Sequence, residues 1–369
     1  MILTYKYRIK DRSARKALRR HAYAVNQVWN WCVAQQRDIE ARYRGGAPKR
    51  KWASYIDLAK SCEGVGKDID LHQQSVRSVC KQFVTSRDKI RRSSCFRASS
   101  GSKRALGWVP FQKQSRQVGG NSIVYLGKRY RFWEGGRPLP EAAKGGAFVE
   151  DTLGRWYVCF HVEISEGRQA GNAKIGIDLG LKVMATCSDG VTIEAPRIYR
   201  QHEQQLAVAQ RASNKRRIKA IHAKIKNCRR DFIHKATAKL VRENALIAVG
   251  NVDSVKLAKT RMAKSVLDAG WSMFKAQLRY KCQLARAAYF DIDEMFTTQM
   301  CSRCGIVPDS SPKGMGALGI RAWKWSECGA NHDRDVNAAR NIFALALSAQ
   351  RRDDESRLAI NIKGDGHGC

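Results

Sequence analysis

Three hydrophobic patterns follow one another in the first part of the chain. Residues 1–10 alternate between apolar and polar positions, as in a β-strand, and residues 11–45 show the spacing of a long basic helix. A second basic helical pattern covers residues 68–92, and residues 93–104 have the Ser- and Arg-rich composition of a loop. The predicted inward face of the first helix consists of Ala14, Leu18, His21, Val25, Val28 and Cys32.

Short strand-like runs follow between Leu106 and Ile164, separated by Gly-rich turns. The runs SIVYLG, YRFW and RWYVCFHVEI have the β-branched and aromatic composition of strands. Several short strands at this spacing predict a small β-barrel.

Strands and helices alternate in the second part of the chain. The run Lys174 to Gly180, KIGIDLG, and the segment KVMATCSDG after it predict a β-hairpin. Basic helices are predicted over 198–245, and a strand, a helix and a strand are predicted over 245–250, 264–288 and 288–293. A hairpin followed by alternating strands and helices is the order of an RNase H-like domain, so the sequence predicts the α/β class. The polar residues from about Arg351 onward are predicted to be disordered.

Two Asp residues occupy positions suited to metal binding. Asp178 lies within an apolar strand pattern, where an isolated ionised carboxylate is costly to bury. Asp335 lies at the start of a helix in the segment HDRDVNAARNI. Either residue alone is equally well explained as a cap or a surface charge, but two carboxylates at the ends of separate elements favour a Mg²⁺ site.

The charge balance indicates a nucleic-acid partner. The chain has 68 Lys and Arg against 33 Asp and Glu, a formal net charge of +35. A basic membrane-surface protein is the alternative, but no apolar run reaches spanning length and the N-terminus lacks the apolar core of a signal peptide. We therefore expect a cytoplasmic protein with reduced cysteines.

A basic cluster in the predicted helices is the expected nucleic-acid contact, and a solvated helical hairpin is its other interpretation. The cluster consists of Lys215, Arg216, Arg217, Lys219, Lys224 and Lys226.

Four motifs occur in an order that resembles the TnpB (OrfB) proteins of bacterial insertion sequences, the relatives of type V CRISPR effectors. They are IGIDLG, RDFIHKATAKLV, CSRCG and HDRDVNAARNI. The segments YKYRIK and GRWYVCFHVE are also similar to the family. The resemblance implies an RNA-guided DNA endonuclease, formerly called a transposase, whose partners are a guide RNA from the transposon end and target double-stranded DNA. It implies a bacterial protein that is associated with the nucleoid when bound to DNA, with no membrane partner.

The resemblance also implies a multidomain organisation. In chain order, the implied parts are a wedge β-barrel from residues 1–10 and 105–166, a helical recognition lobe at 11–104, a split RuvC-like nuclease domain from 171–295 and 330–350, a zinc ribbon at 296–329 and a disordered tail at 351–369.

The family's catalytic residues are an Asp, a Glu and an Asp that hold two Mg²⁺ ions, and this chain departs from them at the Glu. Asp178 matches the first residue and Asp335 the third. Asp333 lies just outside the motif and is expected to be a local cap. At the position of the Glu, this chain has Gly250.

Two interpretations of Gly250 remain open. Glu294 ends the next strand, which lies beside the Gly250 strand in an RNase H fold, so its side chain can enter the space that Gly250 leaves. This arrangement resembles TnpB subgroups in which the second catalytic residue has moved, and Asp253 is a weaker substitute. The alternative is a nuclease-dead, RNA-guided DNA-binding protein that acts as a transcriptional repressor.

The predicted zinc ribbon also departs from the family. Cys301 and Cys304 form a C-x-x-C knuckle suited to tetrahedral Zn²⁺, and Cys328 belongs to the second pair. Trp325 occupies the position of the second pair's other Cys. Two interpretations are open: three thiolates with a fourth ligand such as His332, or a ribbon held by packing with weak or no zinc.

Overall fold

The chain folds into two compact units, Met1–Ile164 and Ser165–Cys369. Each unit contains its own main hydrophobic core. The computed structural model describes the chain apart from residues 47–50, 92–93, 113–120, 136–142, 165–168, 253–256, 258, 261, 310, 312–318 and 365–369.

A six-stranded antiparallel sheet forms the β-structure of the first unit. Its strands are β1 Ile2–Ile9, β2 Trp108–Gln112, β3 Ser122–Tyr125, β4 Lys128–Trp133, β5 Ala143–Glu150 and β6 Trp156–Glu163. They lie in the order β2-β5-β6-β1-β4-β3. Strand β1 pairs with β6, with Ile2 opposite Glu163 at one end and Arg8 opposite Tyr157 at the other. The N-terminal strand is therefore part of the same sheet as the strands at 108–163. Because this order is open among the described residues, closure into a barrel stays a prediction.

Four helices complete the first unit: α1 Ala14–Arg44, α2 Tyr55–Ser61, α3 Val65–Asp68 and α4 Gln73–Ile90. All six residues predicted on the inward face of α1 are buried, which confirms that prediction. Trp29 of α1 meets Phe83 of α4 edge to face, with ring centroids 5.4 Å apart. Both helices contribute to the same core as the sheet.

A five-stranded mixed sheet forms the centre of the second unit. Its strands are β7 Ala173–Leu179, β8 Val183–Cys187, β9 Thr192–Glu194, β10 Asn244–Gly250 and β11 Ala288–Ile292. They lie in the order β11-β10-β7-β8-β9. The first three are antiparallel neighbours, whereas β10 runs parallel to both β7 and β11. This is the predicted hairpin followed by strands that alternate with helices.

Helices cover both faces of this sheet. They are α5 Ile198–Arg211, α6 Lys215–Glu243, α7 Ala263–Ala269, α8 Trp271–Ala285 and α9 Arg334–Gly364. Ile247 of β10 packs in a core that contains Leu278 of α8, whereas its neighbour Leu246 packs in a core that contains Ile342 of α9. Successive side chains of a strand point to opposite faces, so the central strand is buried on both sides. A hairpin of β12 Ala322–Lys324 and β13 Asn331–Asp333 precedes α9.

The predicted basic helical segment consists of two helices, because Ser213 adopts a positive φ and Asn214 caps α6 through its side chain. Two other sequence predictions for this unit need correction. The helix predicted over 264–288 is broken at Gly270, whose φ of 69° ends α7. The predicted disorder is wrong for 351–364, where α9 continues to Gly364. Polar composition does not exclude a helix that carries residues of high helix propensity. Residues 365–369 of the predicted tail lie outside the described residues.

Among the described residues, no helix has both the length and the apolar composition needed to span a membrane.

Gly176 allows α9 to approach the sheet closely. A Cβ atom at this position would lie 2.3 Å from the Ala339 carbonyl oxygen and 2.8 Å from the Phe343 backbone nitrogen. Backbone atoms of a helix cannot move aside as a flexible side chain can, so this contact requires a residue without a side chain.

We predict that Gly176→Ala destabilises the second unit by about 1–3 kcal/mol, since the added methyl group forces α9 away from β7. Chemical denaturation measures this change. Gly45→Ala is the matched control, because a Cβ there meets its nearest atom, the Arg42 carbonyl oxygen, at an ordinary 3.4 Å. Equal stability of the Gly176→Ala and parent proteins would contradict the close approach.

Candidate functional site

Asp178 lies near the carboxyl end of β7, where its strand neighbours Ile177 and Leu179 are buried in the core. Its backbone position pairs with Thr186 of β8. Burial raises the pKa of Asp178 well above its ordinary value, and the negative charges of Asp335 and Glu294 raise it further. The charges of two carboxylates predicted from the sequence, Glu294 and Asp335, therefore act on the third, Asp178, in the folded chain.

Glu294 occupies the space in front of Gly250. Strand β11 lies directly beside β10, with Gly250 opposite Ile292, and the Asn251 N–H donates to the Ile292 carbonyl at 2.7 Å. A Cβ atom on Gly250 would lie 2.7 Å from Glu294 Oε2 and 3.7 Å from Glu294 Cβ. Burial raises the pKa of Glu294; the positive charge of Lys275 opposes this shift. Asp253, the weaker substitute, lies outside the described residues.

Asp335 stands in the first turn of α9. The Asp333 side chain accepts hydrogen bonds from the Asp335 and Val336 N–H groups, both at 3.0 Å, so Asp333 is the local cap that the sequence predicts. Arg321 donates to Asp335 Oδ2 at 2.5 Å. Burial raises the pKa of Asp335, and the Arg321 charge opposes the shift.

Four cations accompany the three carboxylates, and sequence reasoning did not identify them. They are the charges that act on these groups: Lys182, Lys275, Arg321 and Arg334. Arg334 and Lys182 lie close in sequence to Asp335 and Asp178, whereas Lys275 and Arg321 come from other segments and meet the carboxylates only in the fold. The result is an oxygen-donor site with positive charge around it. Among the described residues, the three carboxylates do not form a set whose oxygens all lie within 4.8 Å of one another.

The three predicted zinc ligands do form such a set. One ligand atom from each of Cys301, Cys304 and Cys328 lies within 4.8 Å of the other two, and the Cys301 and Cys328 sulfurs are 3.5 Å apart. Although burial raises the pKa of the Cys301 thiol, the N–H groups of Cys304 and Arg303 lower it below the ordinary value on balance. Three sulfur ligands at this spacing fit zinc, whichever thiol loses its proton first.

Trp325 fills the centre of the ribbon at the position where the family has a Cys. Its side chain is fully buried and stacks on Trp323 with ring centroids 3.9 Å apart. Its indole N–H donates to the Gln299 carbonyl at 3.3 Å, and its ring meets His332 edge to face at 5.0 Å. The ribbon therefore combines a three-thiol cluster with an aromatic core.

Two buried Asn residues of α9 were missed in the sequence. Asn337 Oδ1 accepts from the Ser302 N–H at 2.8 Å, and its amide nitrogen donates to the Met300 carbonyl at 2.7 Å. The Asn341 side chain donates to the Thr297 and Met300 carbonyls, both at 2.7 Å. Their spacing of four residues, which places them on one helix face, was the available signal.

The six predicted nucleic-acid contacts are all exposed on α6. The Asn214 side chain caps this helix by accepting from the Arg217 N–H at 3.0 Å. Ile221 and Ile225 pack with Leu206 of α5, which leaves the basic face outward. These six residues form a basic surface on α6. They are not among the charged groups that act on Asp178, Glu294 and Asp335.

Two family models match the segments that carry these sites. The model described as "Probable transposase" matches residues 157–261, which include Asp178. The model described as "Cas12f1-like, TNB domain" matches residues 271–342, which include Glu294, Asp335 and the cysteine cluster.

Several curated proteins are similar in sequence. A protein of Streptomyces pristinaespiralis named "Putative RNA-guided DNA endonuclease" is 36% identical over 238 residues, which are 60% of this chain and 58% of that protein. The Escherichia coli (strain K12) protein "Putative RNA-guided DNA endonuclease InsQ" is 24% identical over 364 residues, 89% of this chain and 88% of that protein. The match thus spans less than two thirds of the Streptomyces relative.

A solved structure shares the fold. The cryo-EM structure of a Cas12f1–sgRNA–target DNA complex contains a chain that superposes with a TM-score of 0.58 at 12% identity, over 90% of this chain and 83% of that chain. A likeness at this identity supports the fold alone.

We predict that Asp178→Asn stabilises the metal-free protein at neutral pH by about 1–3 kcal/mol, the scale on which single substitutions act. A carboxyl group whose pKa is raised by folding contributes stability below its unfolded value of 3.8, and that contribution is lost as the pH rises through the folded value. The amide has no charge to bury, so the variant keeps its stability over this pH range.

Denaturation at a series of pH values in a chelating buffer measures this effect, with Asp231→Asn on the surface of α6 as the matched control. A variant that is less stable than the parent at neutral pH would show that Asp178 is held in a favourable ionised state without a cation.

Proposed function

We propose that this chain, like the TnpB (OrfB) proteins it resembles, is a transposon-encoded, RNA-guided DNA endonuclease with a RuvC-like site made of Asp178, Glu294 and Asp335. The relatives named as RNA-guided DNA endonucleases support the activity. The mixed sheet, with β10 and β11 parallel to β7, supports the RNase H-like assignment of the second unit.

The position of the Glu294 carboxylate carries this proposal. It lies where a side chain on Gly250 would begin, so the missing carboxylate of β10 is replaced from the neighbouring strand. Its charge acts on Asp178 together with that of Asp335. Three half-buried carboxylates with raised pKa values are costly to keep ionised unless a cation binds among them, and this favours a metal-dependent role.

The donor set fits Mg²⁺, a hard cation that prefers carboxylate oxygens. Asp178, Glu294 and Asp335 would hold it, and two such ions supply the activation of a water and the stabilisation of the leaving oxygen in phosphodiester hydrolysis. The chain's own contribution is to orient the three carboxylates from two strand ends and one helix start. Lys182 and Arg334 add positive charge that attracts the phosphate backbone to this edge of the sheet.

The guide RNA and the target DNA would bind the basic surfaces of the chain. A net charge of +35 and the exposed basic residues of α6 support this assignment. In such complexes base pairing supplies the sequence specificity, while the protein binds backbone phosphates. The zinc ribbon is a structural part of the same chain.

We predict that Glu294→Gln abolishes Mg²⁺-dependent cleavage of guide-matched DNA, by about a hundredfold or more, and leaves guided DNA binding intact. The amide keeps the shape of the side chain but cannot neutralise a divalent cation. Cleavage assays and gel-shift assays on the same DNA measure the two properties. Glu194→Gln, at an exposed position of β9, is the matched control. Cleavage by Glu294→Gln at the parent rate would refute the relocated Glu.

The space at Gly250 gives a second, independent test. Gly250→Ala places a methyl group 2.7 Å from Glu294 Oε2, which must move, so we expect at least about tenfold slower cleavage with a folded protein. A carboxylate restored from β10, in the double variant Gly250→Glu with Glu294→Gln, is expected to recover part of the activity. A parent protein that binds guided DNA but never cuts it with Mg²⁺ or Mn²⁺ would establish the nuclease-dead alternative.

We predict that the protein co-purifies with RNA and that the basic face of α6 contributes to this binding. Replacing Lys215, Arg216 and Arg217 with Gln should flatten the dependence of log affinity on log salt by about 0.7–0.9 per lost phosphate contact. Filter binding over a salt series measures the slope. Lys235→Gln is the control, because Lys235 on the same helix is paired with Asp231 at 2.8 Å. An unchanged slope in the triple variant would place the RNA elsewhere.

A further inference from the structure

The knuckle that carries Cys301 is bound on both sides by α9, the helix that begins at the candidate catalytic Asp335. Asn337 accepts from the Ser302 N–H and donates to the Met300 carbonyl, so it holds the residues directly before and after Cys301. Asn341 holds Met300 a second time. Both Asn side chains are buried, where an unmade hydrogen bond is costly. The position of the knuckle and the position of this helix are therefore linked.

The hairpin of β12 and β13 is a second connection between the ribbon and Asp335. His332 in β13 pairs with Trp323 of β12, and the Arg334 N–H donates to the Arg321 carbonyl at 2.6 Å. The side chain of the same Arg321 donates to the Asp335 carboxylate. An interaction that holds the β12–β13 hairpin in place therefore also holds the Asp335 carboxylate in place.

His332 lies beside the three-thiol cluster. Its Nε2 atom is 3.7 Å from Cys301 Sγ, and the Cys301 and Cys328 sulfurs are 3.5 Å apart. A tetrahedral zinc with Zn–S of about 2.3 Å and Zn–N of about 2.1 Å separates its ligand atoms by about 3.5–3.8 Å. The imidazole is thus at ligand spacing from Cys301, although it is not within the set of three whose ligand atoms are all within 4.8 Å. Completing the site requires the ring to turn toward Cys304 and Cys328.

Trp325 contacts His332 and takes the place of a possible ligand. The indole is fully buried against the cluster and offers no metal ligand, since its N–H donates to the Gln299 carbonyl. Its ring supports the His332 imidazole edge to face. The replacement of a thiol by an aromatic ring removes one ligand and at the same time orients another.

We propose that the ribbon binds one zinc ion through Cys301, Cys304, Cys328 and His332, and that this zinc holds Asp335 in position for the metal site at the sheet edge. The zinc ligand set does not depend on the proposed function, whereas the effect of zinc on Asp335 rests on the proposed nuclease site. His332, Asn337 and Arg321 are positioning residues in this scheme, because each acts on Asp335 through another group.

Zinc analysis tests the ligand set independently of any nuclease activity. The parent protein is expected to hold one zinc per chain, and His332→Ala is expected to bind zinc at least about tenfold more weakly. Cobalt substitution reports the ligands directly, because the visible absorption of tetrahedral cobalt differs between three-sulfur-one-nitrogen and purely thiolate sites. His332→Cys should restore the affinity and shift the spectrum to that of four thiolates.

Two control variants complete this experiment. Cys228→Ser and His222→Ala, exposed positions on α6, should leave the zinc content and the cobalt spectrum unchanged. A parent protein without zinc, or a His332→Ala protein with the parent's affinity and cobalt spectrum, would overturn the four-ligand site.

Mn²⁺ binding measured by electron paramagnetic resonance tests the coupling to Asp335. Removal of zinc, or Asn337→Ala with zinc retained, should weaken Mn²⁺ binding at least about tenfold while RNA binding is unchanged. The His332→Cys protein, with zinc restored, should bind Mn²⁺ as the parent does. Mn²⁺ affinity that does not depend on zinc would overturn the coupling. A protein that binds Mn²⁺ in this zinc-dependent way but does not cut DNA would instead disprove only the proposed endonuclease activity.

Discussion

The close packing of α9 on β7 is the contact on which the candidate site depends. Gly176 removes the side chain that would otherwise separate the strand from the helix backbone. As a result, Asp335 at the start of the helix acts electrostatically on Asp178 at the end of the strand. This close approach helps to bring residues that are remote in the sequence to one sheet edge.

This arrangement has a cost in stability that only function explains. Each of the three carboxylates has a raised pKa in the folded chain, because burial removes water and leaves like charges near one another. A fold selected for stability alone would place apolar residues at these positions. Groups of titratable residues whose environment works against their charged form are typical of metal and catalytic sites.

The chain differs from the TnpB (OrfB) pattern at two positions, and in both a side chain from a neighbouring segment lies close to the position of the difference. Gly250 lacks a carboxylate, and Glu294, two residues beyond the end of the adjacent strand, places one in the space left free. Trp325 lacks a thiol, and its ring packs against His332, whose Nε2 atom lies 3.7 Å from Cys301 Sγ. Side chains from paired strands reach the same volume, so a functional group can change its position in the sequence without changing its position in space.

The sequence by itself predicted most of the helices and strands and the candidate ligands of the site. The spacing of apolar residues predicted the inward face of α1 and the hairpin that carries Asp178. Such predictions succeed because local spacing decides which side chains share a face. The sequence also identified Asp178, Asp335 and the three cysteines, since residue type and spacing mark a ligand. The helix break at Gly270 and the extent of α9 were missed because capping and propensity compete with composition over a few residues.

Only the tertiary structure decided which of these residues meet. That Glu294 fills the space at Gly250 depends on the register of β10 and β11, which is a non-local pairing. The ties of Asn337 and Asn341 to the Cys301 knuckle, and of Arg321 to Asp335, join segments that no local pattern connects. Spacing along the chain specifies which side chains share one face of a helix or strand. The distances between side chains of different elements are set by packing, and the candidate site depends on those distances.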